Sequence, residues 1–123
     1  MSFIKEIKDK ILIFKLEEFY LIEDYAYFWE LAIEENDEFK NSLSFMNIII
    51  DCSRLKHVDQ TAGEIFIFQN KFEEKTNGKF VYCGLDDKML KMFNFFASKL
   101  AGIKEPKIIN YPGLEDAIAA LSK

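Results

Sequence analysis

The sequence predicts an α/β domain spanning residues 1–123, with a mostly parallel mixed sheet of about five strands, four helices and the order ββαβαβαβα. Three observations predict it. Short, dense apolar runs (ILIF at 11–14, NIII at 47–50, FVYC at 80–83) read as strands buried on both faces. Between them, apolar residues recur at helical spacing with charges on the opposite side. From Ile11 onward the two patterns alternate, which implies right-handed crossovers and parallel neighbours.

Taken in order, residues 3–7 mix Phe3, Ile4 and Ile7 with Lys5 and Glu6 and read as an outer strand. Lys8-Asp9-Lys10 turns the chain into a second, better buried strand at 11–16, so the first two strands form a hairpin. From Ile22 the period changes. Ile22, Ala26, Trp29 and Ile33 share a helical stripe that Tyr25, Phe28 and Ala32 widen, and Asn36-Asp37 ends it. Residues 37–44 are mostly polar and read as loop. A strand at 45–51 closes on Asp51, and a connector runs through Asp59.

Thr61 then opens a second helix. Thr61-Ala62-Gly63-Glu64 fits the S/T-x-x-E capping box, in which the hydroxyl and the carboxylate each satisfy a backbone N–H of the first turn. Ala62, Ile65, Phe66, Phe68 and Phe72 supply the inward face, with Gln69, Asn70, Lys71, Glu73, Glu74 and Lys75 expected mostly in water. Asn77-Gly78 stops the helix. A strand at 79–83 and a Gly84-Leu85 turn follow. Asp86 is placed to cap a third helix that buries Met89, Leu90, Phe93, Phe96 and Leu100 and ends before Gly102. Met92 and Phe95 fall off its main stripe and are either an exposed apolar patch or covered by a wider core. Residues 107–110 read as a short edge strand. Tyr111-Pro112-Gly113 turns into a last helix at 114–121.

Composition narrows the function classes. A net charge of −5 argues against nonspecific nucleic-acid binding, which needs Lys/Arg-rich faces. No stretch approaches the roughly 18 apolar residues of a membrane span, and the charged N-terminus has no signal-peptide apolar region. A cytoplasmic location is the expectation. Cys52 and Cys83 form no CxxC pair and read as small buried hydrophobes. His57 is the only histidine, so no multi-ligand metal site is expected, and no cofactor motif is present. A Cys52–His57 nucleophile pair has no orienting third residue in the sequence. A small flavodoxin-like enzyme would need convergent polar groups at the carboxyl ends of the strands, and no catalytic set stands there.

The stretch IIIDCSRLKHVDQTAGEIFIF resembles the signature of STAS domains, the anti-sigma-factor antagonist family: an apolar strand ending in Asp, a connector, then Asp-Ser-Ser-Gly opening a helix. NGKFVYCGLDDKMLKMFNFFASKLAGI and EPKIINYPGLEDAIAAL resemble the family's later strand–helix units. The resemblance implies a single STAS-like domain and a non-enzymatic regulatory module. By position, Asp51 matches the Asp closing the strand and Asp59 the Asp opening the phosphosite motif. Gln60 stands at the first Ser, Thr61 at the serine a partner kinase phosphorylates, and Ala62 at the Gly after it. Glu17-Glu18 stand where the family commonly places a Gly.

The resemblance thus implies a phosphosite at Thr61 and a partner-binding surface of Asp51, Asp59, Gln60, Thr61 and Ala62. The implied partner is an anti-sigma factor/serine-threonine kinase of GHKL type, with a homodimer as a further assembly. The alternative is a STAS subunit or scaffold of a signalling or transport complex without phosphoregulation. At the residue level, Thr61 is either a regulated phospho-acceptor or a helix cap only.

Overall fold

The computed structural model describes residues 3–8, 11–17, 47–57, 61–75, 78–102 and 108–122. Strands β1 (Phe3–Lys8) and β2 (Ile11–Leu16) pair antiparallel, with Phe3 opposite Leu16 and Lys8 opposite Ile11. β3 (Asn47–Asp51) runs parallel to β2 with Ile11 opposite Asn47, and β4 (Phe80–Cys83) runs parallel to β3 with Asp51 opposite Cys83. β5 (Asn110–Tyr111) completes a five-stranded sheet in the order β1-β2-β3-β4-β5. The helices are α1 (Thr61–Lys75), α2 (Asp87–Ala101) and α3 (Leu114–Leu121). This is the mixed, mainly parallel α/β arrangement expected. The helix read from Ile22 to Asn36 lies outside the described residues.

The central strands are apolar throughout because helices cover both faces of the sheet. Alternate residues divide them. Leu12, Phe14, Leu16, Ile48, Ile50, Phe80 and Tyr82 face one way and pack with Ile65, Phe68 and Phe72 of α1 and Phe93 of α2. Ile11, Ile13, Ile49, Val81 and Cys83 face the other way, against Ala117 and Leu121 of α3. Because β3, β4 and β5 follow one another across the sheet, their crossover helices α1 and α2 share a face. That face is filled by aromatics. Phe80 stands 5.6 Å from Phe68 and 6.0 Å from Phe72, and Tyr82 stands 5.6 Å from both Phe80 and Phe93. The edge-to-face angles of three of these pairs add to the burial of large rings.

Two details depart from the sequence reading. Gln69 is buried, not in water: its Oε1 accepts from the Tyr82 hydroxyl at 3.1 Å, and its Nε2 donates to Glu73 at 3.0 Å. A buried phenol needs a partner, and Gln69 is the group one layer away that supplies it. The last strand is also displaced. Tyr111 pairs with Cys83 instead of turning, because its carbonyl accepts the Gly84 N–H at 2.9 Å; Pro112, which has no N–H, ends the ladder. Ile109 is left outside the ladder, yet its carbonyl accepts from Tyr82.

Candidate functional site at the carboxyl edge of the sheet

The parallel strands β2, β3 and β4 deliver their carboxyl ends to one edge, where α1 and α2 begin. In such sheets this edge gathers loops and helix N-termini. Asp51, the last residue of β3, is 7% exposed, and its Oδ1 accepts from the Ser53 backbone N–H at 3.0 Å and from the Ser53 hydroxyl at 2.7 Å. The carboxylate therefore fixes the turn that leaves the strand, an Asx-type device. Leu55 N–H then donates to Cys52 C=O at 3.0 Å, and Leu55 anchors the connector in the core, while Ser53, Arg54, Lys56 and His57 are exposed.

The next strand end packs directly against this turn. Gly84 has φ +79°, and a Cβ there would lie 2.7 Å from the Ser53 nitrogen. Only glycine fits both the left-handed backbone and the close approach. Cys52 N–H donates to Cys83 C=O at 2.9 Å, which carries the β3–β4 ladder past Asp51. Asn110 clamps the far side. Its Oδ1 accepts from Leu85 N–H at 3.2 Å and its Nδ2 donates to Leu85 C=O at 3.0 Å. Asp86 then caps α2 by accepting from Met89 N–H at 2.7 Å, as the sequence predicts.

Thr61 is the first residue of α1, and Ala62 lies in its first turn, so both sit where unpaired backbone N–H groups and the positive end of the helix dipole are found. The side chains of Thr61, Ala62 and Glu64 fall outside what the structure describes, and so do Asp59 and Gln60 with the rest of 58–60. Of the predicted surface, the backbone of Thr61 and Ala62 and the whole of Asp51 are placed. Asp51 is nearly buried and holds the turn.

The cysteines are chemically quiet. Both are free and buried. Burial pushes the Cys83 thiol up to about 12, with the negative charge of Asp51 and a hydrogen bond to it adding to the shift. Burial likewise raises Cys52, with Cys83 and Asp51 contributing. A raised thiol is a poor nucleophile at neutral pH. Cys52 donates to the Ile50 carbonyl, and His57 is exposed. Among the described residues no group of three His, Cys, Asp or Glu is placed to hold a metal ion. A cleft of about 260 Å³ is lined by Lys15, Leu16, Asp51, Ser53 and Arg54, and Glu17, Ser53, Arg54 and Lys56 line an adjoining, more open depression. Arg54 reaches Glu17 at 3.6 Å across it.

Sequence reasoning missed Ser53, Gly84 as a packing glycine and Asn110 as a clamp. For Gly84 the turn itself was readable, but its contact with Ser53 depends on the β3–β4 pairing, which no local signal carries.

The fold has known counterparts. Moorella thermoacetica RsbS carrying a serine-to-glutamate substitution superposes with a TM-score of 0.72 at 17% identity, covering 99% of this chain and 96% of that one. Unphosphorylated SpoIIAA, described as an anti-sigma-factor antagonist, gives 0.71 at 16% identity over 98% and 96% of the two chains; Bacillus SpoIIAA in its phosphorylated form gives 0.65 at 17% over 97% and 98%. TM1081 from Thermotoga maritima, described as a candidate anti-sigma-factor antagonist, gives 0.69 at 19% over 98% and 95%. No protein-family model and no curated protein matches the sequence. The chain has the STAS fold of these anti-sigma-factor antagonists. Among the described residues, no helix is long and apolar enough to cross a membrane.

Proposed function

We propose that the chain is a single STAS-like module, cytoplasmic and non-enzymatic, that regulates transcription by binding an anti-sigma factor/serine-threonine kinase of GHKL type. Unmodified Thr61 lies in that interface with Asp59, Gln60 and Ala62, Asp51 acts through the turn it holds, and phosphorylation of Thr61 releases the partner. The observation that carries this reading is the position of Thr61 as the first residue of α1, at the carboxyl edge of a sheet with the fold of SpoIIAA, which is known in unphosphorylated and phosphorylated forms.

The physics of a switch is local. A phosphate adds about −1.5 to −2 charge at pH 7. A helix N-terminus accepts an anion, so the fold tolerates it. The nearby acidic residues in sequence, Asp59 and Glu64, oppose it, and a docked partner would have to desolvate it. Affinity for the partner falls while the domain stays folded. Asp51 contributes indirectly, by setting the turn that aims the connector.

A second reading, a STAS subunit of a larger signalling or transport assembly without phosphoregulation, draws on Gln60 and Ala62, which stand where the resembling signature carries Ser and Gly. A pull-down from the native cell with wild-type, Thr61→Ala and Thr61→Glu proteins separates the two. A kinase retained by wild type and Thr61→Ala and lost from Thr61→Glu supports the switch. Equal retention by all three proteins supports the second reading.

A further inference from the structure

Helix α2 carries on its outer side a feature that the carboxyl-edge site does not use. Lys88, Lys91, Phe95 and Lys99 are all exposed. At 100° per residue they fall within an arc of about 80° and span roughly 16 Å of helix. Phe95 is 57% exposed, and its ring packs edge-to-face on Phe96 with centroids 5.3 Å apart. The Lys99 ammonium stands 5.6 Å from the Phe95 centroid. Among the described residues, neither Lys88 nor Lys91 forms an ion pair. An exposed aromatic ring on a cationic helix face offers an apolar contact and a charge of one sign to a partner.

We infer that this α2 face docks an acidic linear segment of another protein, whose carboxylates meet Lys88, Lys91 and Lys99 and whose apolar side chain covers Phe95. Charge selects this occupant. Within α2 three lysines against one aspartate leave +2, so the rest of the chain, at −5 overall, carries −7. The cationic face is one helix wide. Exposed Asp86 and Asp87 head it, and exposed Glu73 and Glu74 stand on α1, which packs beside α2. A narrow segment contacts the lysines alone. A flat anionic bilayer would also meet the flanking carboxylates, within the roughly 8 Å over which charges act at physiological salt. A second copy docked by a two-fold axis through Phe95 would set Lys91 of one α2 against Lys99 of the other, like charge on like. The inference does not depend on phosphorylation of Thr61, whose helix is a different element.

The test is a fluorescence-anisotropy titration of the full chain with a labelled 14-residue peptide bearing four Glu and two Leu, at 50 mM and 300 mM salt. A Gln-for-Glu version of the peptide, phosphatidylcholine/phosphatidylserine vesicles and sedimentation of the chain alone run in parallel. The acidic peptide should bind, the Gln version should not, and affinity should fall with salt. Lys88→Glu/Lys91→Glu/Lys99→Glu should lose at least about tenfold in affinity and Phe95→Ser a few-fold. All four substituted positions are exposed, and circular dichroism checks that each variant folds. Peptide binding that is absent, or unchanged by the lysine substitutions, overturns the inference. So does lysine-dependent binding to vesicles without binding to the peptide, or a Phe95-dependent dimer that leaves no peptide binding.

Discussion

At the residue scale, two glycines with the same backbone handedness are held for different reasons. Gly84 and Gly102 both have positive φ, +79° and +68°, but an added Cβ meets Ser53 at Gly84 and nothing within 4 Å at Gly102. Gly102→Ala should therefore cost about 1 kcal/mol from backbone conformation alone, and Gly84→Ala at least about 2 kcal/mol more, because the Ser53 turn must move. Urea unfolding of the two variants checks this, and equal losses would remove the close approach from the account. Cys83 makes a second prediction. Its native pKa, about 12, stands above the ordinary value of 9.0. Below pH 9 the thiol is protonated in both folded and unfolded chains and stability does not depend on it. Between pH 9 and 12 the unfolded chain ionises first, so stability falls as pH rises. Cys83→Ala should flatten that alkaline slope by about 1.4 kcal/mol per pH unit at most, read from denaturation midpoints at pH 8, 9 and 10. The roles of Asp51 and Ser53 belong to this scale too. An Asp at a strand end is legible as a carboxylate that holds loop backbone, and the Ser53 N–H bond is that contact; the Ser53 hydroxyl as its second donor was not legible, because a serine two residues after an aspartate is common in loops of many shapes.

At the element scale, α2 has a side-chain start signal in Asp86, whereas α3 starts after Gly113 with no side-chain cap. Asp86→Ala removes the only side-chain acceptor described at the α2 N-terminus and should destabilise the domain by about 1 kcal/mol without changing its helix content at room temperature, measured by thermal melting and circular dichroism. A much smaller loss would mean that Asp87, in the first turn, suffices through the dipole. Most elements were legible because their signals are local: apolar runs for β2, β3 and β4, Asp86 and Gly102 for the two ends of α2, and Gly113 before α3. The exceptions are tertiary. Gln69 looks like a surface residue of α1 until Tyr82 is placed beneath it. Tyr111 looks like part of a Tyr-Pro-Gly turn until the Gly84 N–H needs its carbonyl. The two readings open for Met92 and Phe95 divide between them: Met92 is half-buried and packs on the core, and Phe95 is the exposed ring.

At the scale of the whole molecule, the sheet order brings the ends of β2, β3 and β4 to the edge where α1 and α2 begin, and packs the two helices on one face. A switch placed there acts on a cross-tied set of strand ends. Asp51, Gly84 and Asn110 tie the strand ends together by hydrogen bonds and close packing, so a charge added at the start of α1 changes the surface and leaves the core alone. Among the described residues the order of strands and helices was legible, since alternating buried runs and amphipathic periods admit few topologies. The site was legible only in part: the position of Thr61 can be read, but whether a kinase uses it is a property of two molecules. The central claim is therefore tested most directly by the affinity of the purified partner kinase for the unmodified chain and for the chain stoichiometrically phosphorylated at Thr61, measured by titration calorimetry at 150 mM salt. The unmodified chain should bind tightly, and phosphorylation should lower its affinity at least about a hundredfold, the roughly 3 kcal/mol of burying an unpaired charge at an interface. Equal affinities for the two forms would contradict it.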